Sequence, residues 1–298
     1  MTVKIVTDST ADLPPQLAAE LGITVVPVYI NFGEKSYRDG VDIGHDELYQ
    51  KLAEGPIHPT TSQPPPSDFV DVYRKLARET DEIVCIHVTS KLSGTYASAL
   101  QGRELAATGR RIEVVDSLSV SMGLGLTVMA AARLAAAGEN LQKVMAEIEQ
   151  AIPNMHLLGV FDTLKYLLLG GRIGKAKALL GNVLNMKPLI TMCDGELFPA
   201  GQTRTRTKGV ERLFHFAKNA LHIQELAIVH STTPEEAGSL RERIGSIFDK
   251  KRIQLARLGP ALGVHGGPGT LLVALREKQG SIRRNDGEVK PESAQSEP

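Results

Sequence analysis

The chain has 298 residues, enough for two domains of ordinary size or one large one, and enough to bury a substantial core. Its 34 Lys and Arg balance 34 Asp and Glu, aromatic residues make up 4% with no Trp, and no basic run of five or more occurs. Those features exclude a polyanion groove, a base-stacking platform and electrostatic attachment to an anionic membrane as the basis of function, so no nucleic acid partner is expected.

Val3 to Thr7 reads as a first strand, without the charged and apolar regions of a signal peptide, and a cytoplasmic protein is expected. A helix opened by Pro14-Pro15 follows, then a β-branched run from Ile23 to Ile30, a polar loop, and a helix from about Ser67 to Thr80. Glu82 to Val88 is strand-like, Ser93 to Ala107 helical and Arg111 to Val115 strand-like. This alternation predicts an α/β fold with a mostly parallel sheet covered on both faces. Cys85 lies inside the apolar run and Cys193 far from it, so neither a disulfide framework nor a thiolate metal site is expected, and the compartment is read as reducing. Two helices span roughly Ser121 to Ile152. The weakly polar stretch from Val120 to Ala137 is Ala-rich and carries Arg133, which suits a tightly packed helix better than a bilayer span.

The pattern changes near Pro153-Asn154. His156 to Phe161 is strand-like, Lys187 to Met192 and Glu196 to Ala200 flank Asp194-Gly195 as a hairpin, and a strand from Leu226 to His230 follows a helix. These elements predict a C-terminal α/β domain with a mixed sheet over 154–280, after an N-terminal α/β domain over 1–153. The segment 281–298 has almost nothing to bury and is expected to be a disordered tail.

Three stretches carry candidate chemistry. Leu262 to Gly269 places His265 in a backbone too rich in glycine to be expected as helix or strand, so the imidazole is free to meet a ligand. Thr60-Thr61-Ser62-Gln63-Pro64 and Leu92-Ser93-Gly94-Thr95-Tyr96 each set hydroxyls beside turn-forming residues. Jointly they point to a site for an anion or a polar head group. Each also has a plain structural reading: Ser93-Gly94 as a helix cap, Thr60 to Pro66 as a polyproline-like linker, Gly266 to Gly269 as a tight connection. Asp8-Ser9-Thr10-Ala11-Asp12 follows the first strand at the end where open α/β sheets bind ligands, although capping alone accounts for Asp8 and Asp12 singly. Arg172 reads as a helix-end cation, and Arg204, Arg206 and Lys208, spaced by two, as one face of an extended segment.

A hydrolase would use Ser93 as nucleophile, His265 as base and Asp8 or Asp116 as orienting acid. Ser93 lacks the G-x-S-x-G elbow, however, and the hydroxyls of Thr61, Ser62 and Thr95 are redundant for that chemistry. No zinc-type histidine spacing, calcium-type acidic loop or complete nucleotide-binding glycine motif is present, so neither metal nor cofactor is expected.

Val6-Thr-Asp-Ser-Thr-Ala-Asp12, Tyr37-Arg-Asp-Gly40, Thr61-Ser-Gln-Pro64, Leu92-Ser-Gly-Thr-Tyr96, Asp116-Ser117, Gly170-Gly-Arg-Ile173 and His265-Gly-Gly-Pro-Gly269 together resemble the DegV family of fatty-acid-binding proteins, from about Val3 to Leu275. The resemblance implies a two-domain carrier, with no catalytic centre of its own, that holds one long-chain fatty acid in a tunnel between its domains. In the family's FakB branch it further implies presentation of the carboxylate to an ATP-using fatty acid kinase, whose acyl phosphate product feeds phospholipid synthesis. By position, Thr61, Ser93 and His265 would bind the carboxylate, with Ser62, Gly94, Thr95 and Gly266 supporting the ligand site. Arg172, Arg204 and Arg206 would lie where the kinase or its phosphate meets the carrier. Two positions depart from the family pattern: Tyr166-Leu-Leu-Leu169 stands where a charged stretch is usual, at the tunnel lid or partner surface, and Gly266 stands where many members carry Thr or Ser.

The physics suits that role. Burying a sixteen-carbon chain at about 0.8 kcal/mol per methylene gives roughly 12 kcal/mol before ordering costs. The carboxylate has the opposite problem, because its lost water must be replaced by charge-assisted hydrogen bonds.

Overall fold

The computed structural model describes residues 2–55, 57–180 and 186–278, so the expected tail lies outside the described residues. The first half of the chain runs β1 (Lys4–Asp8), α1 (Pro15–Glu20), β2 (Ile23–Val26), β3 (Tyr29–Phe32), β4 (Lys35–Arg38), α2 (His45–Glu54), β5 (Thr60–Ser62), α3 (Pro66–Leu76), β6 (Glu82–His87), α4 (Thr95–Ala106), β7 (Arg111–Asp116), α5 (Ser121–Ala136) and α6 (Leu141–Ala151). Four strands pair in parallel in the order β2-β1-β6-β7. Alternation along each strand sorts the side chains. Val6, Ile83 and Cys85 face Phe69, Tyr73 and Ala99 of α3 and α4, while Ile5, Val84 and Ile86 face Leu124, Val128, Val144 and Ile148 of α5 and α6. Burial pushes the Cys85 thiol up to about 12, whereas Cys193 is exposed.

The run from Ile23 to Ile30, expected as one strand, is two. It breaks at Pro27, which cannot donate to a ladder, and the amide of Val28 turns instead to Ser9 Oγ at 3.0 Å. The second piece, β3, leaves the parallel sheet and pairs antiparallel with β4 and β5 in a three-stranded sheet. Thr60 to Ser62 therefore belongs to a strand, with Thr61 opposite Ile30, and not to a polyproline-like linker.

The second half runs β8 (Met155–Val160), α7 (Lys165–Leu169), β9 (Lys187–Cys193), β10 (Glu196–Thr203), α8 (Arg206–Lys218), β11 (Ile223–His230), α9 (Pro234–Ile244), β12 (Ile253–Arg257), α10 (Pro260–Gly266) and β13 (Leu271–Glu277). Its six strands form a mixed sheet in the order β10-β9-β8-β13-β11-β12, in which only β11 and β12 run parallel. The Asp194-Gly195 hairpin forms, with both residues at positive φ (48° and 79°). Helices α8 and α9 cover one face through Leu213, Ala217, Ala237 and Leu240. The other face is covered by α5 from the first half, whose Met122, Leu126 and Met129 meet Leu157, Val229 and Leu272. A helix serving two sheets is buried nearly all round, which is why its sequence is apolar without an amphipathic period.

Two sequence expectations are corrected here. Arg206 and Lys208 are in the first turn of α8, because Thr205 breaks the extended segment and accepts from the Lys208 amide at 3.3 Å. His265 sits in a helix, α10, opened by Pro260 despite the surrounding glycines. No helix among the described residues is long and apolar enough to cross a membrane.

Candidate functional site

In the parallel sheet, β1 connects through α1 to β2 on one side, while β6 lies on its other side, so the chain diverges at the carboxyl ends of β1 and β6. Such a divergence leaves a crevice where open α/β sheets place ligands. A cavity occupies it, lined from the first half by Thr10, Val28, Thr61, Ser62, Gln63, Val88, Leu92, Ser93, Val120 and Ser121. The second half contributes Leu157, Phe161, Leu167, Arg172, Ile190, Leu197, Leu258, Ala261, Leu262, His265, Gly266, Thr270 and Leu272. The cavity volume is about 110 Å³, well beyond the roughly 10–15 Å³ that one water needs. Most of the wall is apolar, and the hydroxyls, the Gln63 carboxamide, the imidazole and the guanidinium are the polar exceptions.

Six of the expected site residues thus share one cavity: Thr61, Ser62, Ser93, Arg172, His265 and Gly266. Thr61 on β5 meets His265 on α10, with Oγ1 and Nε2 2.8 Å apart across 204 residues of chain. Ser93 precedes α4, and its Oγ is 2.8 Å from Thr95 Oγ1 and accepts from the Thr95 amide at 3.3 Å. Gly94 takes the N-cap position of α4, and Ser93, one residue ahead of it, accepts the first helical amide while also lining the cavity. Gly94 and Thr95 stand behind Ser93 and do not line the cavity, and the Ser62 hydroxyl accepts from Asn31 Nδ2 at 3.3 Å.

The imidazole is neutral, because burial first, then the nearby Arg172 and His58, push its pKa down to about 3. Its Nδ1 is buried without a hydrogen-bond partner, facing Gly170 so closely that a Cβ there would overlap the ring. An N–H at that position would be an orphaned donor, so the less costly tautomer carries its proton on Nε2 and donates it to Thr61 Oγ1. That leaves the Thr61 hydroxyl proton to point at a ligand oxygen. Arg172 adds positive charge, and its guanidinium is steadied by the carbonyls of Gly170 (2.7 Å) and Leu92 (3.3 Å).

The parts of a hydrolytic triad are not assembled. Asp8 pairs with His87 Nδ1 at 3.0 Å, Asp116 accepts from the amides of Ser90 and Leu118, and no carboxylate orients His265. Arg206 lies outside the cavity, gripped by Glu236 and donating to the Gly269 carbonyl at 2.5 Å, which braces the turn that follows α10. Arg204 is exposed beyond the end of β10. Sequence reasoning passed over Thr10, Ser121 and Thr270 as cavity residues; only Thr10 had a signal, its place directly after the first strand.

The fold and site define an α/β protein with a largely apolar cavity whose wall also carries hydroxyls, a neutral imidazole and a guanidinium. The family model described as "Uncharacterised protein, DegV family" matches residues 2–278, and the chain belongs to that family. A DegV domain-containing protein of Caldanaerobacter subterraneus is 36% identical over 279 residues, covering 93% of this chain and 99% of the relative. Among solved structures, a DegV family protein from Thermus thermophilus described by its fatty acid binding is 36% identical, with a TM-score of 0.85 over 93% of this chain and 100% of that one. A stearic acid-binding protein from Eubacterium ventriosum is 27% identical, with a TM-score of 0.83 over 92% and 98%.

Proposed function

We propose that this protein is a carrier, without a catalytic centre of its own, that holds one long-chain fatty acid between an N-terminal domain over 1–153 and a C-terminal domain over 154–280. The acyl chain lies along Leu157, Phe161, Ile190, Leu258 and Leu272, and the carboxylate meets Thr61, Ser93 and His265. The observation that carries this reading is the 2.8 Å contact of Thr61 with His265 at the polar end of a cavity whose walls come from both halves. Fatty acid binding by the Thermus and Eubacterium relatives supports it.

Hydroxyl donors and a neutral ring replace the water lost by the carboxylate without locking it into a bidentate ion pair. A carboxylate so held stays nucleophilic, as phosphoryl transfer from ATP by a partner fatty acid kinase would require. Exposed Arg204 and Arg172 in the cavity wall are the cations assigned to that partner or its phosphate, while Arg206 is taken up by Glu236 and the Gly269 carbonyl.

Native mass spectrometry of protein purified from cells tests the reading: a bound species with the mass of a long-chain fatty acid is expected. An empty spectrum together with ester turnover abolished by Ser93→Ala would overturn it in favour of an acyl hydrolase. For the partner, Arg204→Glu is expected to slow acyl phosphate formation by a fatty acid kinase while lipid retention stays unchanged.

A further inference from the structure

The amino end of α10 carries no cap of its own: Gly259 has no side chain and Pro260 has no amide proton. Its partners come from the far end of the sequence. Asp12 Oδ1 accepts from the Gly259 amide at 2.8 Å, across 247 residues, and Asp12 Oδ2 accepts from Ser121 Oγ at 2.5 Å. Asp39, also buried, lies against the same end of the helix, beside the Ala261 backbone and the Ser9 side chain. A Cβ on Gly259 would stand 2.8 Å from Asp12 Oδ1 and 3.7 Å from Asp39 Oδ2, so both carboxylates close on that one residue and glycine leaves them room. Both are buried, at 7% and 4% exposure, and Asp12 adopts the left-handed conformation (φ 52°) to reach its partners.

The rest of α10 is equally constrained. Ala261 and Val264 pack with Ile30 of β3 and with Leu48 and Tyr49 of α2, and the Tyr49 hydroxyl donates to the Leu258 carbonyl at 3.3 Å. Around the two carboxylates stand Asp8, occupied by His87 and Thr10, and Arg257, occupied by Asp46 and the Ser231 carbonyl; His45 completes the set. At the opposite end of this short rigid helix is His265. We propose that Asp12 and Asp39 are positioning residues for the carboxylate-binding end of the cavity: they clamp the amino end of α10 from the first half of the chain and so hold the His265 imidazole against Thr61. The proposal rests on the fatty acid reading of that cavity.

Full-length protein loaded with carboxyl-labelled stearate, and lipid-free protein with isotope-labelled histidine, separate the two ideas. Asp39→Ala and Asp12→Ala are expected to lower stearate retention about tenfold, the scale of one lost hydrogen bond to a charged group. They are also expected to move the His265 ring-nitrogen resonances of the lipid-free protein, whereas Asp39→Asn and Asp12→Asn, which keep an oxygen for the amide, restore both. In a His265→Ala background, Asp39→Ala is expected to cost nothing further. Wild-type retention in the alanine variants, or an equal loss repeated in the His265→Ala background, would overturn the proposal. Should Asp12→Ala fail to fold, Asp39→Ala and the two asparagine variants decide it alone. A wild-type protein that takes up no stearate sinks the fatty acid reading, and the His265 resonances of Asp39→Ala then still decide the positioning role.

Discussion

At the amino end of α10, Asp12 has its two oxygens taken up by the Gly259 amide and the Ser121 hydroxyl, and Asp39 is buried beside the same residues of the helix start. At the carboxyl end, His265 has Nε2 on Thr61 and Nδ1 packed without a partner against Gly170, and both Thr61 and His265 line the oily cavity. Both ends bury polar groups at similar depth, yet one set of hydrogen bonds is closed and the other is left open. A closed set rigidifies; an open one has capacity for a ligand.

The comparison is broken most severely at the open end. Thr61→Ala with Ser93→Ala removes the two hydroxyls proposed to donate to a desolvated carboxylate, each bond worth about 1.5–3 kcal/mol, so fatty acid retention is expected to fall by roughly 100-fold or more. Thermal unfolding should change little, because both side chains are only half-buried. Equal retention in the double variant would remove these residues from the site.

Gly170→Ala tests the wall behind the imidazole. The added Cβ overlaps His265 Nδ1, and overpacking of this kind costs about 1–3 kcal/mol, readable as a lowered denaturant midpoint together with weaker lipid retention. An unchanged midpoint would mean that the ring has room to move.

The smallest effect sharpens the closed end. Burial, aided by neighbouring carboxylates, raises the Asp12 pKa to about 8 and that of Asp39 to about 7 from a model-compound value of 3.8. A group that holds its proton more tightly when folded stabilises the fold fully below about pH 4, and that contribution is lost as pH rises through 7 and 8. Asp39→Asn has no such proton to lose. Between about pH 5 and 8.5 its Tm is therefore expected to gain on the wild type by about 2 °C or more. A difference that does not vary with pH would show that Asp39 does not titrate in that window.

Much of the architecture was legible because its causes are local. The continuous apolar run in Glu82–His87, the Asp194-Gly195 turn and the Ala-rich α5 each declare themselves within a dozen residues. The helical state of His265 was hidden, since the groups that hold the start of α10 lie some 250 positions upstream, and glycine-rich sequence alone argues the other way. The three-stranded sheet was missed because β3, β4 and β5 are too short to show a period, and Pro27 conceals where one sheet ends and the next begins. Within the site, Thr61, Ser93 and His265 stood out as polar groups beside chain-bending residues. Asp39 was visible only as part of Tyr37-Arg-Asp-Gly40, a motif whose purpose needs the fold before it can be read.

The Asp194-Gly195 hairpin offers a practical handle. Burial, then the neighbouring Asp194, raises the Cys193 thiol as well, but Cys193 is exposed beside the hairpin turn while Cys85 is buried inside the sheet with its thiol pushed up to about 12, so alkylation reaches Cys193 alone. The hairpin tip receives Thr89 Oγ1 on the Gly195 carbonyl at 3.1 Å, and Thr89 begins the loop that leads to Ser93. A single fluorophore attached there, with no engineered cysteine, would report whether that loop and the hairpin shift relative to each other when fatty acid is added.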